Sequence, residues 1–445
     1  MKDFPKVLIL NQPFNNISGG GITLSNLFKG WQKDKLAVVC LGNLLNEQTQ
    51  LEACDQYYQL GHKEHIWQFP LSLLKRKYES GPVTINKREK KVKTLQKSPL
   101  RERLLKEYIN PFLKWIGVLN WASRLQLSPE LCRWLDAYAP DVIYAQAQRR
   151  EAVVFCRLVQ QYLNKPMVFH MMDDWLEVLP GEGILGKYWH RKIEGEFMEM
   201  LACCDRHFSI SEPMAKAYQE RYGFQFQTFH NPIELEFWSK SQRKDYSFGD
   251  KIQILYAGRM GMGIQSSLET MAQCLEELNQ NRERQIELVL QVGKKPSWAD
   301  RYSCMVHRGF VPYEELPDRF AAADILILPY DFTASATAFI KYSMPTKASE
   351  YMISGTPVLV FAPEDTALVS YALDHHWAKV VTKNQVRELR SALLELIDNE
   401  DLRREIARSA IQLAGERHDA VKVRAAFRKE INALTHSIRT TARQV

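Results

Sequence analysis

Apolar residues along this chain come in short unbroken runs, separated by stretches in which they recur every three or four positions. The runs read as buried strands and the recurring stretches as amphipathic helices. KVLIL, a helix from Ile22 and LAVVCL open the first half, followed by a long irregular region. The rhythm resumes with DVIYAQ, a helix from Arg150 to Tyr162, MVFHMM, a helix around 189–203, and RHFSIS before EPMAKAYQERYG. Strand and helix in alternation predict an α/β fold with parallel sheets.

A second start follows Asn231-Pro232 and the polar stretch SKSQRKDYSFGDK. IQILYAG, a helix over 266–280, IELVLQVG, CMVHRGFV, a helix over 314–323, DILILPY, a helix near 346–354 and PVLVFA predict another Rossmann-like unit. The polar stretch is therefore the expected linker, giving an N-terminal domain over 1–238 and a C-terminal domain over 251–415. Residues 385–440 read as mostly helical, and the helix over 416–445 is expected to pack back toward the N-terminal domain.

With 445 residues, one ordinary core is too small, so two domains agree with length as well as with pattern. Hydrophobic residues at 45% and charged residues at 25% exclude a chiefly disordered chain. The first apolar run, Val7 to Leu10, is too short for a signal peptide, and no apolar stretch is long enough to cross a bilayer. Eight cysteines without a CxxC pair predict reduced, buried thiols and a cytoplasmic protein. A net charge of +7 is small for this length, and much of it lies between Lys75 and Lys106, so nucleic acid is not an expected partner. The stretch 75–121 joins that basic cluster to Phe112, Trp115, Ile116, Leu119 and Trp121. It reads equally as a peripheral contact with an anionic membrane on its inner face and as an insertion, about 72–127, packed on the N-terminal domain.

Gly-rich NNISGGGITLSNLFKGW, PDVIYAQAQ, MMDDW, HNPIELEFW, YAGRM, HRGFVPYEELPDRFAAADILILPY and SMPTKASEYMISGTPVLV occur in this order. Together they resemble the retaining glycosyltransferases of GT-B fold, family 4-like, over most of the chain. The Ser-x-Pro-x-Lys-x-x-Glu-Tyr block is similar to a sub-group of that family. The resemblance implies two Rossmann-like domains facing a central cleft and a nucleoside-diphosphate-sugar donor. It also implies a glycan or lipid-linked acceptor in glycan or cell-surface polysaccharide synthesis. Two positions depart from the family pattern: Tyr342 stands where a first Glu is common, and Ile264 where a phosphate-binding Lys is common. A nucleotide-sugar-binding protein that has lost catalysis is the alternative, and an epimerase of the same fold is a third reading.

Sugar transfer requires negative charge to be stabilised on the departing phosphate. No two aspartates are separated by a single residue, as in the metal-holding Asp-x-Asp, so no metal or other cofactor is expected. Arg259 follows the strand IQILYA, at the end where open α/β sheets bind ligands, and is a candidate phosphate clamp. Lys347 lies just before a helix, where Thr346, Lys347 and Ala348 amides and the helix dipole favour an anion; a solvated first-turn lysine is the other reading. Glu350, one turn on, can accept from both hydroxyls of a ribose or simply complement the dipole; the resemblance implies the ribose role. It also places Gly309, Phe310 and Val311 against the nucleobase and Ser343, Met344, Pro345 and Thr346 around the donor. Gly19, Gly20 and Gly21 form a helix-entry loop that lets backbone approach a diphosphate, without the dinucleotide fingerprint of an NAD site. His170, Asp173 and Asp174 fall at or just beyond a strand end. Asp173 and Asp174 are candidates for holding the acceptor, and His170 and Asp173 for moving its proton, with His170 equally a core residue. The absence of a placed carboxylate nucleophile agrees with the front-face transfer that the resemblance implies.

Overall fold

The computed structural model describes residues 4–16, 18–50, 52–69, 71–73, 78–83, 113, 117–177, 184–261 and 263–441. Most of the basic stretch 75–121, including Phe112, Trp115 and Ile116, lies outside these residues. The chain divides into two compact units. One comprises residues 1–210, Ala215–Phe229 and 425–445; the other comprises Ser211–Met214 and His230–Arg424.

The first unit contains β1 (Val7–Leu10), β2 (Leu36–Leu41), β3 (Gln56–Leu60), β4 (His65–Trp67), β5 (Gly81–Val83), β6 (Ser123–Leu125), β7 (Val142–Ala145), β8 (Met167–Met171), β9 (Arg206–Ser209) and β10 (Phe226–Thr228). Eight of them form one sheet in the order β10-β9-β8-β7-β1-β2-β3-β5, while β4 and β6 pair separately. Every neighbour in the large sheet is parallel except β3 with β5. Parallel strands need crossover segments that cover both faces, which is why VLIL, LAVVCL, VIYA and MVFHM are apolar without alternation and buried throughout. The strand order reverses between β1 and β7, so the carboxyl ends of these two strands form a switch point.

The second unit holds β11 (Ile252–Ala257), β12 (Ile286–Gln291), β13 (Met305–Arg308), β14 (Ile325–Pro329), β15 (Val358–Phe361) and β16 (Lys379–Val381), all parallel in the order β13-β12-β11-β14-β15-β16. Its switch point falls between β11 and β14. The helices Gln265–Asn279 and Val386–Asp398 pack their apolar stripes, Leu268, Met271 and Leu275 on one and Leu389, Leu393 and Leu396 on the other, into one core with these strands.

The polar stretch read as a linker is fastened to the second unit. Arg243 donates from its backbone to Ser354 O (2.8 Å), and its guanidinium pairs with Asp324 (2.9 Å) and meets the Ala323 carbonyl. A polar composition marks solvent contact as well as flexibility, and here one arginine supplies the fixed bonds. The helical tail is three helices, Val386–Asp398, Glu400–Arg417 and Ala420–Thr441. In the last, Phe427 is fully buried among Phe28 (5.1 Å), Phe229 (5.4 Å), Phe208 (5.8 Å) and Tyr144 (6.1 Å) of the first unit. Four tilted or edge-on ring contacts add to the apolar area that this side chain buries. Phe427→Ala is expected to lower the unfolding free energy of this unit by about 3 to 5 kcal/mol, measured by urea denaturation. A loss as small as that of Met198→Ala, which trims a 44% exposed side chain, would contradict the packing.

Candidate functional site

The second unit brings three of the sequence-predicted residues to one place. Arg259 emerges two residues beyond β11, at the switch point. Lys347 and Glu350 lie on the helix Lys347–Ile353, three positions apart and therefore on one face. Tyr351 of that helix holds it to the end of β11: its hydroxyl accepts from Ala257 N (3.0 Å). Tyr256 completes the frame. Its hydroxyl donates to Arg259 O (2.8 Å), and its ring lies 4.7 Å from Lys347 Nζ, in cation–π contact.

Gly258 is what allows the lysine to reach this position. A Cβ there would fall 1.5 Å from Lys347 Nζ, and the residue adopts φ +152°. Only glycine meets both demands. The sequence pointed to Arg259 within YAGRM, but neither the glycine beside it nor Tyr256 and Tyr351. A glycine directly after an apolar strand was the available signal.

The electrostatics of this corner are uncompensated. Glu350 is only 9% exposed, and neither it nor Lys347 makes a hydrogen bond or ion pair with a described residue. Burial pushes the Glu350 carboxyl up to about 7, against the pull of Lys347. Burial brings Lys347 down to about 8; Glu350 opposes the fall and Arg259 adds to it. Charged groups removed from water without partners carry a free-energy cost that a complementary ligand relieves.

Other predicted residues surround this corner or serve the fold. Ser343 and Met344 are buried, with Ser343 N bonded to Ile340 O (2.9 Å). Thr346 O accepts from Asn231 Nδ2 (3.3 Å) and Ser349 Oγ (3.2 Å). Ala348 N donates to Pro345 O (2.9 Å), so this amide is already used and does not await a phosphate. Gly309 has open space around it, Val311 is half-buried, and Phe310 is exposed with one ring edge over Gly293. Tyr313, two residues beyond Val311, is held up by burial and by the nearby Glu350 charge, which puts this loop on the Glu350 side. Of the two departures from the family pattern, Ile264 packs against the core, whereas the half-buried Tyr342 side chain has no structural explanation.

In the first unit, Gly19, Gly20 and Gly21 open the helix Gly19–Leu27. Ser18 Oγ accepts from Gly21 N (3.1 Å). A Cβ on Gly21 would fall on the Asn15 amide (2.2 Å), so packing demands glycine there; one on Gly20 would meet only side-chain ends, that of Gln146 nearest (2.9 Å), and Gly19 faces open space. His170 is fully buried, with Nδ1 2.7 Å from Tyr144 Oη and its ring edge-on to Tyr144 and Phe208. Burial pushes it down to about 3, so it is a neutral core side chain rather than a surface proton carrier. Asp174 is also buried, accepting from Tyr218 Oη (2.7 Å) and pairing with Arg221 (3.1 Å). That makes it a structural ion pair with no surface for an acceptor. Asp173 is half-buried just beyond β8 and accepts from Gln148 Nε2 (3.3 Å). Among the described residues no group of three or more His, Cys, Asp or Glu is placed to hold a metal ion.

Residues 251–399 match the family model of Glycosyl transferases group 1. The match lies within the second unit, and Arg259, Lys347 and Glu350 all fall inside the matched residues. No curated protein sequence matches the chain. Its fold is similar to sucrose-phosphate synthase from Thermosynechococcus elongatus, at TM-score 0.64 and 13% identity over 97% of this chain and 99% of that one. It is also similar to HepE of Anabaena in complex with UDP and glucose (0.59, 14%, 96% and 99%). A third is WaaG, a glycosyltransferase involved in lipopolysaccharide biosynthesis (0.57, 12%, 96% and 99%). At these identities the likeness establishes the fold, which is GT-B: two Rossmann-like α/β units with parallel sheets of eight and six strands, one β3–β5 pair apart.

If this corner takes a nucleoside diphosphate, the second unit is expected to bind it most tightly where Lys347 is charged and Glu350 ionised. Lys347 loses its proton above about 8 and Glu350 gains one below about 7, so affinity falls on either side of that window. Calorimetric titration across roughly pH 6 to 9 checks this, and a flat profile would contradict it.

Proposed function

We propose that the chain is a retaining glycosyltransferase that takes a sugar from a nucleoside-diphosphate donor and passes it to a glycan or lipid-linked acceptor. The observation that carries this reading is the unpaired Lys347 and Glu350, set side by side within the residues that match the group 1 model, beside Arg259. In this reading Arg259 and Lys347 meet the diphosphate and take up the negative charge that grows as the glycosidic bond breaks. Glu350 accepts from the two ribose hydroxyls. Gly309, Phe310 and Val311 carry the nucleobase, and Ser343 to Thr346 line the donor. Gly19 offers the first unit's open backbone to the phosphates.

Retention follows if the acceptor hydroxyl attacks the anomeric carbon from the face that the diphosphate leaves. The new carbon–oxygen bond forms as the old one breaks, and the acceptor proton passes to the departing phosphate oxygen. Asp173 is then the first unit's candidate for holding the acceptor. UDP is the natural first probe, because HepE was crystallised with UDP and glucose. Synthesis of a cell-surface polysaccharide at the cytoplasmic face, with peripheral membrane contact, is the setting that a membrane-anchored acceptor would require.

A silent nucleotide-sugar binder is favoured by one observation: Ile264 supplies packing where a second cation would serve the phosphates. Release of labelled sugar from the donor separates the two readings, since the binder releases none.

Glu350→Gln keeps size and replaces an anionic double acceptor with an amide that has one acceptor oxygen. Hydrogen bonds to charged groups contribute about 1.5 to 3 kcal/mol, so donor affinity should fall by about ten- to a hundredfold. The loss should shrink for an analogue lacking the ribose hydroxyls. Equal losses for both nucleotides would remove Glu350 from the ribose.

A further inference from the structure

The first unit exposes large apolar side chains in one place. Phe69, Trp121, Ile184, Leu185 and Tyr188 are 75%, 55%, 71%, 40% and 55% exposed. Among the described residues of this unit, the other exposed large hydrophobics are Tyr162, tied to Asp136, and Met198. The concentration is built by the fold. Gly117, at φ +82°, starts the short helix Val118–Ala122 against the segment Leu185–Trp189: a Cβ on it would lie 3.1 Å from Leu185 Cβ and 2.6 Å from Trp189 Cδ1. Ala122 O at the other end accepts from Gln68 N (2.9 Å), which brings Phe69 beside Trp121.

The same surface is basic. Lys187, Arg191 and Lys192 share the outward side of the helix Gly186–Ala202 with Tyr188, all are exposed, and none makes an ion pair with a described residue. Lys192 Nζ rests over the rings of Tyr188 (5.8 Å) and Trp189 (5.4 Å). Of the three acidic side chains on this helix, Glu196 pairs with Arg150 and Glu199 with Arg157, which leaves Glu194, half-buried and near Tyr222, against these three cations. In sequence, the segment 84–116 that precedes Gly117 carries ten Lys or Arg against three Glu.

We propose that this surface docks on an anionic lipid bilayer, Trp121, Ile184 and Tyr188 entering the headgroup boundary while Lys187, Arg191 and Lys192 pair with lipid phosphates. Apolar and aromatic tips ringed by unpaired cations are the chemistry of an interfacial contact, and neither set alone gives it. No helix among the described residues is long and apolar enough to cross a membrane, so the contact is peripheral. The inference rests on the transferase reading for its purpose, a lipid-linked acceptor, but not for its geometry.

Co-sedimentation of the full chain with protein-free vesicles of equimolar phosphatidylglycerol and phosphatidylcholine tests it. Binding is expected at low salt, lost at high salt and absent on phosphatidylcholine alone. Lys187→Ala and Arg191→Ala should each weaken it about fivefold. Ile184→Ser with Tyr188→Ser should weaken it further without changing nucleotide affinity, which also reports that the variants fold. Brominated acyl chains should quench a tryptophan signal that Trp121→Phe removes. Failure of the wild type to sediment at low salt overturns the proposal. So does sedimentation that survives all the patch changes and vanishes only on replacing Lys90, Lys91 and Lys93, or that requires membrane protein. If nucleotide binding fails while sedimentation follows the patch, the donor reading falls and the surface stands.

Discussion

The site depends on two opposite charges drawn back from water, Glu350 buried and Lys347 half-buried one helical turn away, with no hydrogen-bond or ion-pair partner for either among the described residues. Lys347 and Glu350 weaken each other's desolvation but do not bond, and the fold leaves both displaced from their ordinary ionisation. Such an arrangement persists only if the surrounding packing over-determines it. Tyr351 pins the helix to β11, Tyr256 supports the ammonium from below, and Gly258 removes the one atom that would push it away.

The parallel sheet explains why this corner sits where it does. Strands buried on both faces leave ligand chemistry to their carboxyl ends, and the reversal of order beside β11 opens a crevice at that edge. The other unit has the same reversal beside β1, yet fills it differently. There the glycine loop is occupied by Gln12, Asn15, Ser18 and Gln146, so its tight approach serves packing as much as binding.

Much of this was legible before any coordinates. Apolar runs without alternation named the parallel strands, since sequence records two-sided burial directly. Arg259, Lys347 and Glu350 were named through the motifs that resemble a known family, since spacing alone allowed a surface arginine, a solvated lysine and a glutamate that merely complements a helix dipole. What failed was the direction of side chains near strand ends. His170 and Asp174 have the residue types of a site but point into the core, where Tyr144 engages the one and Tyr218 and Arg221 the other, all distant in sequence. The polar stretch before β11 misled for a similar reason: the bonds of Arg243 come from Ala323, Asp324 and Ser354, which no local pattern reveals. Tyr256 and Gly258 were hidden because their importance lies in what they permit Lys347 to do.

The central claim is that Arg259 and Lys347 form a diphosphate site. Calorimetry of the wild-type chain with nucleoside diphosphates and their monophosphates, at pH between 7 and 8, tests it most directly. A second phosphate that meets one charge-assisted contact gains about 1.5 to 3 kcal/mol, so the diphosphate should bind at least about tenfold more tightly. Equal affinity for the two would contradict the account.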